Sequence, residues 1–210
     1  MRKLLLLVFV FILLFSGLAY SQEEDYDEGI DYLSIQPAQP TDDASRIEVV
    51  EIFWYGCPHC YHFEPVLSPW VKDAPKDVDF YRLPAVFNAQ WEVHARAYFT
   101  ADILNVLEKS HKALFQAIQT ERKAFNTLDK LAVFYARYGI EEDLFKKTYR
   151  SFVVNTKISR TKDMVQRYGV KGVPAIVVDG KYLITVSMAK SYENMLKITN
   201  FLVQKERNAK

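Results

Sequence analysis

Apolar residues run almost without interruption from Arg46 to Tyr55, and they are mostly β-branched or aromatic. That pattern predicts a buried strand rather than an amphipathic one. A helix is expected from Pro58 to about Lys72, because proline fits a first helical turn, where its missing N–H costs nothing. Asp77 to Leu83 reads as the next strand, completing a βαβ unit with a parallel strand pair. From Asn88 to about Val154 the spacing turns helical, with Gly139 the lone glycine and no proline. Leu131, Phe134, Tyr135 and Tyr138 fall at i, i+3, i+4 and i+7, with Thr127 as N-cap and Gly139 just past the C-terminus. Trp91 to Leu107, a helix behind Ser110 carrying Leu114, Phe115 and Ile118, and Ile140 to Arg150 complete this block. Beyond it, Ser159 to Tyr168 reads as a helix. Ala175 to Val178, Asp179-Gly180 and Lys181 to Ile184 read as a hairpin. Tyr192 to Glu206 closes the chain as an amphipathic helix.

These elements divide the chain into a leader over 1–21, an arm and βαβ unit over 22–87, a helical insertion over 88–155 and a second α/β part over 156–210. Gln22 to Ala44 is acidic and turn-rich, an extended arm with one short strand at Tyr32–Ile35. Without the insertion the order is that of a thioredoxin fold: a mixed sheet with helices on both faces. The fold class is therefore α/β, thioredoxin-like, with an inserted α-helical subdomain.

The leader changes the setting. Arg2 and Lys3 precede an apolar run from Leu4 to Phe15, and Ala19-Tyr20-Ser21 is a small-x-small site, as in a secretory signal peptide. Leu4 to Ala19 is short for a membrane span of about 20 residues, so no stable membrane insertion is expected after cleavage. Losing Arg2 and Lys3 takes the formal charge from +1 to −1. A balance so close to zero gives no reason to expect nucleic acid as a partner. With 210 residues, half of them hydrophobic, the chain can build a core without staples.

Against that background, the two cysteines stand together as Cys57-Pro58-His59-Cys60. A bridge across two intervening residues stabilises little, because the loop it closes is short. Covalent haem attachment needs histidine after the second cysteine, and Tyr61 stands there. A zinc site would have to recruit His59 or His62, and no second ligand pair has metal spacing; no metal is expected. What remains is redox chemistry, with the Cys57–Cys60 disulfide itself as the reagent and no other cofactor. At the N-cap of a helix starting at Pro58, Cys57 meets unpaired N–H groups and the dipole, which favour a thiolate. His59 adds a donor or a positive charge. Cys60, one turn on, is expected to be more buried and to resolve the bond.

Two further features bear on this site. Val173-Pro174, after Gly172, is a candidate cis bond whose exposed backbone can pair with an extended peptide. Glu51 interrupts the apolar strand and faces either solvent or the sulfurs; buried, it would carry a raised pKa and relay protons. Glu64 reads as solvated, His62 as a helix-surface residue, and His94 and His111 as ordinary residues without a partner.

Phe53 to Glu64, FWYGCPHCYHFE, resembles the active-site stretch of the DsbA family of bacterial periplasmic thiol:disulfide oxidoreductases. Gly172-Val173-Pro174-Ala175 resembles its cis-proline loop, Val178 to Tyr182 its following hairpin, and Ser151 to Val154 the end of its helical insertion. The resemblance implies a periplasmic enzyme that donates a disulfide to reduced, newly exported proteins, and that a quinone-linked inner-membrane oxidase like DsbB re-oxidises. It assigns Cys57 as the exposed nucleophile, Cys60 as its buried partner, His59 as the tuner, Val173 and Pro174 as the substrate loop and Glu51 as the buried acid. A monomer is expected. A disulfide isomerase or reductase is the rival enzyme. A peptide-binding chaperone gripping chains through the aromatics at 98–99, 134–135 and 138 is the rival binding module, although those residues read more simply as helical core.

Overall fold

Residues 25–210 are described by the computed structural model; the expected leader over 1–21, with its cleavage site, lies outside them. Five strands form one mixed sheet: β1 (Leu33–Ser34), β2 (Ile47–Phe53), β3 (Val78–Pro84), β4 (Ala175–Val178) and β5 (Tyr182–Thr185), ordered β1-β5-β4-β2-β3. Only β2 and β3 run parallel, as the intervening helix α1 (Pro58–Asp73) requires. All seven residues of β2 are buried, which explains its continuous apolar run.

Side chains of β2 alternate between two cores. Ile47 and Val49 pack with Phe63 and Leu67 of α1 and with Met195, Ile198 and Leu202 of the last helix, α8 (Tyr192–Ala209). Val50 and Ile52 face the other way, onto Val165 and Tyr168 around the end of α6 (Phe152–Arg167). Two-residue periodicity thus puts Glu51 on the same face as Val49, toward α1. Helices α2 (Ala89–Ile103), α3 (Leu107–Gln119), α4 (Leu128–Ala136) and α5 (Glu142–Tyr149) form the inserted block. Its core contains Tyr98, Phe99, Phe134 and Tyr135, and Phe53, Tyr55, Cys57 and Cys60 belong to the same cluster. The aromatics considered above as a chaperone surface are mostly interior. The active-site turn therefore lies between the sheet and the insertion.

Several boundaries differ from the sequence reading. Ser110 does not cap α3: it sits inside the helix and bonds the Val106 carbonyl at 2.7 Å. Asn105, at φ +56, turns the chain just before the helix begins. Helix α6 starts at Phe152 behind a Ser151 cap and runs unbroken through position 155, so one helix joins the insertion to the second α/β part. Its first turn is hidden from periodicity because Phe152 and Val153 are exposed, breaking the apolar stripe. The hairpin turn matches expectation, with Asp179 and Gly180 both at positive φ. The short helix α7 (Val186–Ala189) precedes α8.

Candidate functional site

Strand β2 ends at Phe53 and the chain turns sharply, with the Cys57 N–H bonding the Trp54 carbonyl at 2.9 Å. Glycine suits position 56 in this turn, because a Cβ there would collide with the Trp54 ring. Trp54 in turn stacks on Trp91 of the insertion at 4.2 Å. Cys57 then occupies the N-cap of α1 in extended conformation, with Pro58 opening the helix. Its Sγ accepts the Cys60 N–H at 3.4 Å, so sulfur fills the role that serine or aspartate oxygen fills in an ordinary cap. The two sulfurs are unbonded thiols, and Cys57 is slightly exposed while Cys60 is fully buried.

These surroundings split the two thiols. A hydrogen bond from the Cys60 thiol is the main influence on Cys57. Burial opposes it, but the backbone N–H groups of Cys60 and His59 and the charge of His59 bring the Cys57 pKa down to about 6. Burial pushes the Cys60 thiol well above its ordinary range. The lower pKa and slight exposure suit Cys57 to attack and to leave as a thiolate, whereas Cys60 leaves poorly unless it is protonated.

His59 is exposed, with Nδ1 at 3.1 Å from the Tyr192 hydroxyl. On the other side of Cys57, the Val173–Pro174 bond is cis, and the Val173 carbonyl accepts from the Cys57 thiol at 3.4 Å. A groove of about 640 Å³ opens beside this loop, lined by His59, Val173, Pro174, Leu183 and Met188 among others. The structure thus sets the first turn of α1, from Cys57 to Cys60, against the Val173–Pro174 loop, with His59, Val173 and Pro174 lining the groove.

Glu51 is buried beneath them, not solvent-facing. It pairs in register with Arg82 of β3, whose Nε donates to Glu51 Oε2 at 2.9 Å. Burial raises the Glu51 pKa to about 8; Arg82 pulls it down, while Glu64 pushes it further up. The reading of Glu64 as solvated is overturned. It is buried, ion-paired to Arg82 at 3.1 Å and bonded by Ser68 at 3.1 Å. Burial works against its ionisation, but the hydrogen bond from His111, the charge of Arg82 and the Ser68 hydroxyl outweigh it and hold its pKa well below the ordinary carboxylate range.

The two histidines read as partnerless also have partners. His111 is buried between Tyr55, whose hydroxyl is 2.7 Å from Nδ1, and Glu64, 3.3 Å from Nε2. With Glu64 ionised, Nε2–H donates to it and Nδ1 accepts from Tyr55, which assigns a neutral ring. Burial is also the main force lowering the His111 pKa. His94 is buried at 3.1 Å from the Phe125 carbonyl, and burial takes its pKa down to about 4. His62 is exposed, as read.

The thiol asymmetry implies a pH-dependent stability. An unfolded cysteine titrates near about 8.5. The folded Cys57 value is depressed to about 6, so its contribution is complete above about pH 8.5 and is lost as pH falls through about 6. Glu51 acts oppositely: with its pKa raised to about 8, it lowers stability as pH climbs from the ordinary carboxylate range. Glu51 is present in both redox forms, whereas Cys57 titrates only in the reduced one. The unfolding free energy of the reduced minus that of the oxidised protein is therefore expected to rise between about pH 6 and 8.5, by at most about 3 kcal/mol because solvent screens part of the effect, and to be flat below. Denaturant titrations of both forms check this; a level difference across the window would show that folding does not stabilise the thiolate.

Comparison with known proteins agrees with this geometry. The DSBA-like thioredoxin domain family matches residues 77–198. The thiol:disulfide interchange protein DsbA of Pseudomonas aeruginosa is 39% identical over 209 residues, spanning 100% of this chain and 99% of its own. The protein of that name from Pseudomonas syringae is 40% identical over 193 residues, 92% and 90% of the two chains. The crystal structure of Pseudomonas aeruginosa DsbA superposes with a TM-score of 0.85 at 40% identity, covering 88% of this chain and 96% of that one. Oxidoreductase DsbA from Xylella fastidiosa gives 0.83 at 40% identity, covering 87% and 98%.

Proposed function

Since the chain belongs to the DsbA family of thiol:disulfide oxidoreductases, we propose that it works in the oxidising direction, giving its Cys57–Cys60 disulfide to reduced, newly exported proteins in the periplasm. The observation that carries this direction is the split between the two sulfurs: Cys57 at about 6 and Cys60 well above the ordinary thiol. A stabilised Cys57 thiolate stabilises the reduced enzyme and so makes its disulfide a stronger oxidant.

In the cycle, a substrate thiolate attacks Cys57 Sγ, the more accessible sulfur. The Cys57–Cys60 bond breaks and its electron pair goes to Cys60. Buried and high in pKa, Cys60 needs a proton, and Glu51, still protonated at neutral pH, is the nearby acid to supply it. A second substrate thiolate then attacks the substrate sulfur of the mixed disulfide, and Cys57 leaves as a thiolate. The substrate is oxidised by two electrons; the enzyme holds Cys57–S⁻, Cys60–SH and an ionised Glu51, which takes a proton back from solvent, and no other cofactor takes part. The substrate chain would lie in the groove along Val173 and Pro174, pairing with their backbone. A quinone-linked inner-membrane oxidase of the DsbB type would restore the disulfide.

Equilibration of the mature protein with glutathione buffers tests the direction. A reduction potential near the family's reference value of about −120 mV is expected. A value near about −270 mV, as in thioredoxin, would instead make the protein a reductant.

A further inference from the structure

The C-terminal helix reaches the active site through one residue. We propose that Tyr192 is a positioning residue for disulfide exchange: its hydroxyl holds the His59 imidazole over the first turn of α1, where the ring favours the Cys57 thiolate. The inference rests on the redox reading above and adds to it a residue 133 positions from its partner.

The side chain is set in place from several directions. Lys190, at φ +66, ends α7 in left-handed conformation and turns the chain back. Ser191 then caps α8, its hydroxyl accepting the Asn194 N–H at 3.0 Å. Asn194 Nδ2 ties back to the Ala189 carbonyl at 2.9 Å, and Asn194 Oδ1 accepts from Tyr26 at 3.2 Å. Tyr192 is thereby fixed at the first position of α8. Its ring rests 5.5 Å from that of Phe63, one turn beyond His59 on α1, and its hydroxyl stands 3.1 Å from His59 Nδ1.

A hydroxyl suits this contact because it accepts as well as donates. It accepts from Nδ1–H when His59 is cationic and donates to Nδ1 when the ring is neutral, so His59 keeps one orientation in both states. Without the hydroxyl, an exposed imidazole samples several rotamers and spends less time where its charge bears on Cys57. Burial is the main influence raising the Tyr192 pKa, and the negative charges of Cys57 and Cys60 add to it. The contact lies at the edge of the groove beside Pro174, where a docked substrate would cover it and strengthen it by excluding water.

A double-mutant cycle over Tyr192→Phe and His59→Ala tests the proposal, read by the ultraviolet absorbance of the Cys57 thiolate against pH and by the glutathione equilibrium. Phenylalanine keeps the ring on Phe63 and removes only the hydroxyl. Tyr192→Phe is expected to shift both equilibria about two- to fivefold toward the thiol and toward a less oxidising enzyme. The shift should vanish in the His59→Ala background. An unchanged Tyr192→Phe protein, or a shift of equal size without His59, overturns the proposal and leaves the donor reading standing. If His59→Ala alone moves neither readout, His59 is no tuner and the proposal falls with it, while the potential of the unmodified protein still decides the donor reading.

Discussion

Cys57→Ser is expected to abolish disulfide exchange completely, whereas Cys60→Ser should halt it one step later, as a stable mixed disulfide. Both follow from the asymmetry of the pair. Cys57 sits at a helix N-cap at the rim of a groove, and with a pKa of about 6 it is about nine-tenths thiolate at neutral pH. Cys60 is fully buried, so a substrate thiolate cannot reach its sulfur in the disulfide, and in the reduced protein it stays a thiol. Without Cys57, the remaining thiol has neither access nor charge. Without Cys60, Cys57 still reacts with a disulfide such as oxidised glutathione, but no internal thiol releases the adduct. Mass spectrometry of the two variants after incubation with oxidised glutathione checks this: an adduct on Cys60→Ser, none on Cys57→Ser. Residual turnover by Cys57→Ser, or faster alkylation of Cys60 than of Cys57 in the reduced protein, would reverse the assignment of roles.

The sulfur half of this site was legible in the sequence because it is local. An apolar strand, a C-x-x-C pair and a first-turn proline lie within fifteen consecutive positions, and helix-terminus electrostatics does the rest. The acidic half was only half legible. Alternation left Glu51 undecided, since a strand buried on both faces has no solvent side for a carboxylate to choose. What decided it was the register of β2 against β3, which sets Arg82 opposite.

Glu64 could have been read correctly. Cys60, Phe63, Glu64 and Leu67 fall at i, i+3, i+4 and i+7, and these four are the buried residues of α1. Its charge argued for solvent and its position for the core, and position prevailed because a cation was available. His111 likewise shares the stripe of Leu114, Phe115 and Ile118, so its burial was readable. Its partners were not: Tyr55 and Glu64 are 56 and 47 positions away. Arg82 and Tyr192 carried no local signal, because their roles come entirely from strand pairing and from the return of the last helix.

Arg82 is where stability and chemistry meet. Among the described residues it is the cation bonded to both Glu51 and Glu64, and its side chain is largely buried. Arg82→Met, which keeps length and apolar bulk, is expected to cost about 3–5 kcal/mol at neutral pH, because it strands Glu64 as an uncompensated charge in the interior. The loss should depend on pH in a definite direction. The Glu64 pKa is held well below the ordinary carboxylate range, so the stability it contributes is present above that range and disappears as pH falls through the depressed value. The variant has little of that contribution to lose. Its deficit against the unmodified protein should therefore shrink from neutral pH toward about pH 3, as Glu64 protonates more readily in the variant. Adding Glu64→Gln should recover part of the neutral-pH loss, because it removes the stranded charge along with its partner. Denaturant titrations of the oxidised protein at the two pH values check both points. A deficit of equal size at both would mean that Arg82 acts through packing alone. The electrostatic account of the floor beneath Cys60 would then fail, although the thiol asymmetry above it would stand on its own observations.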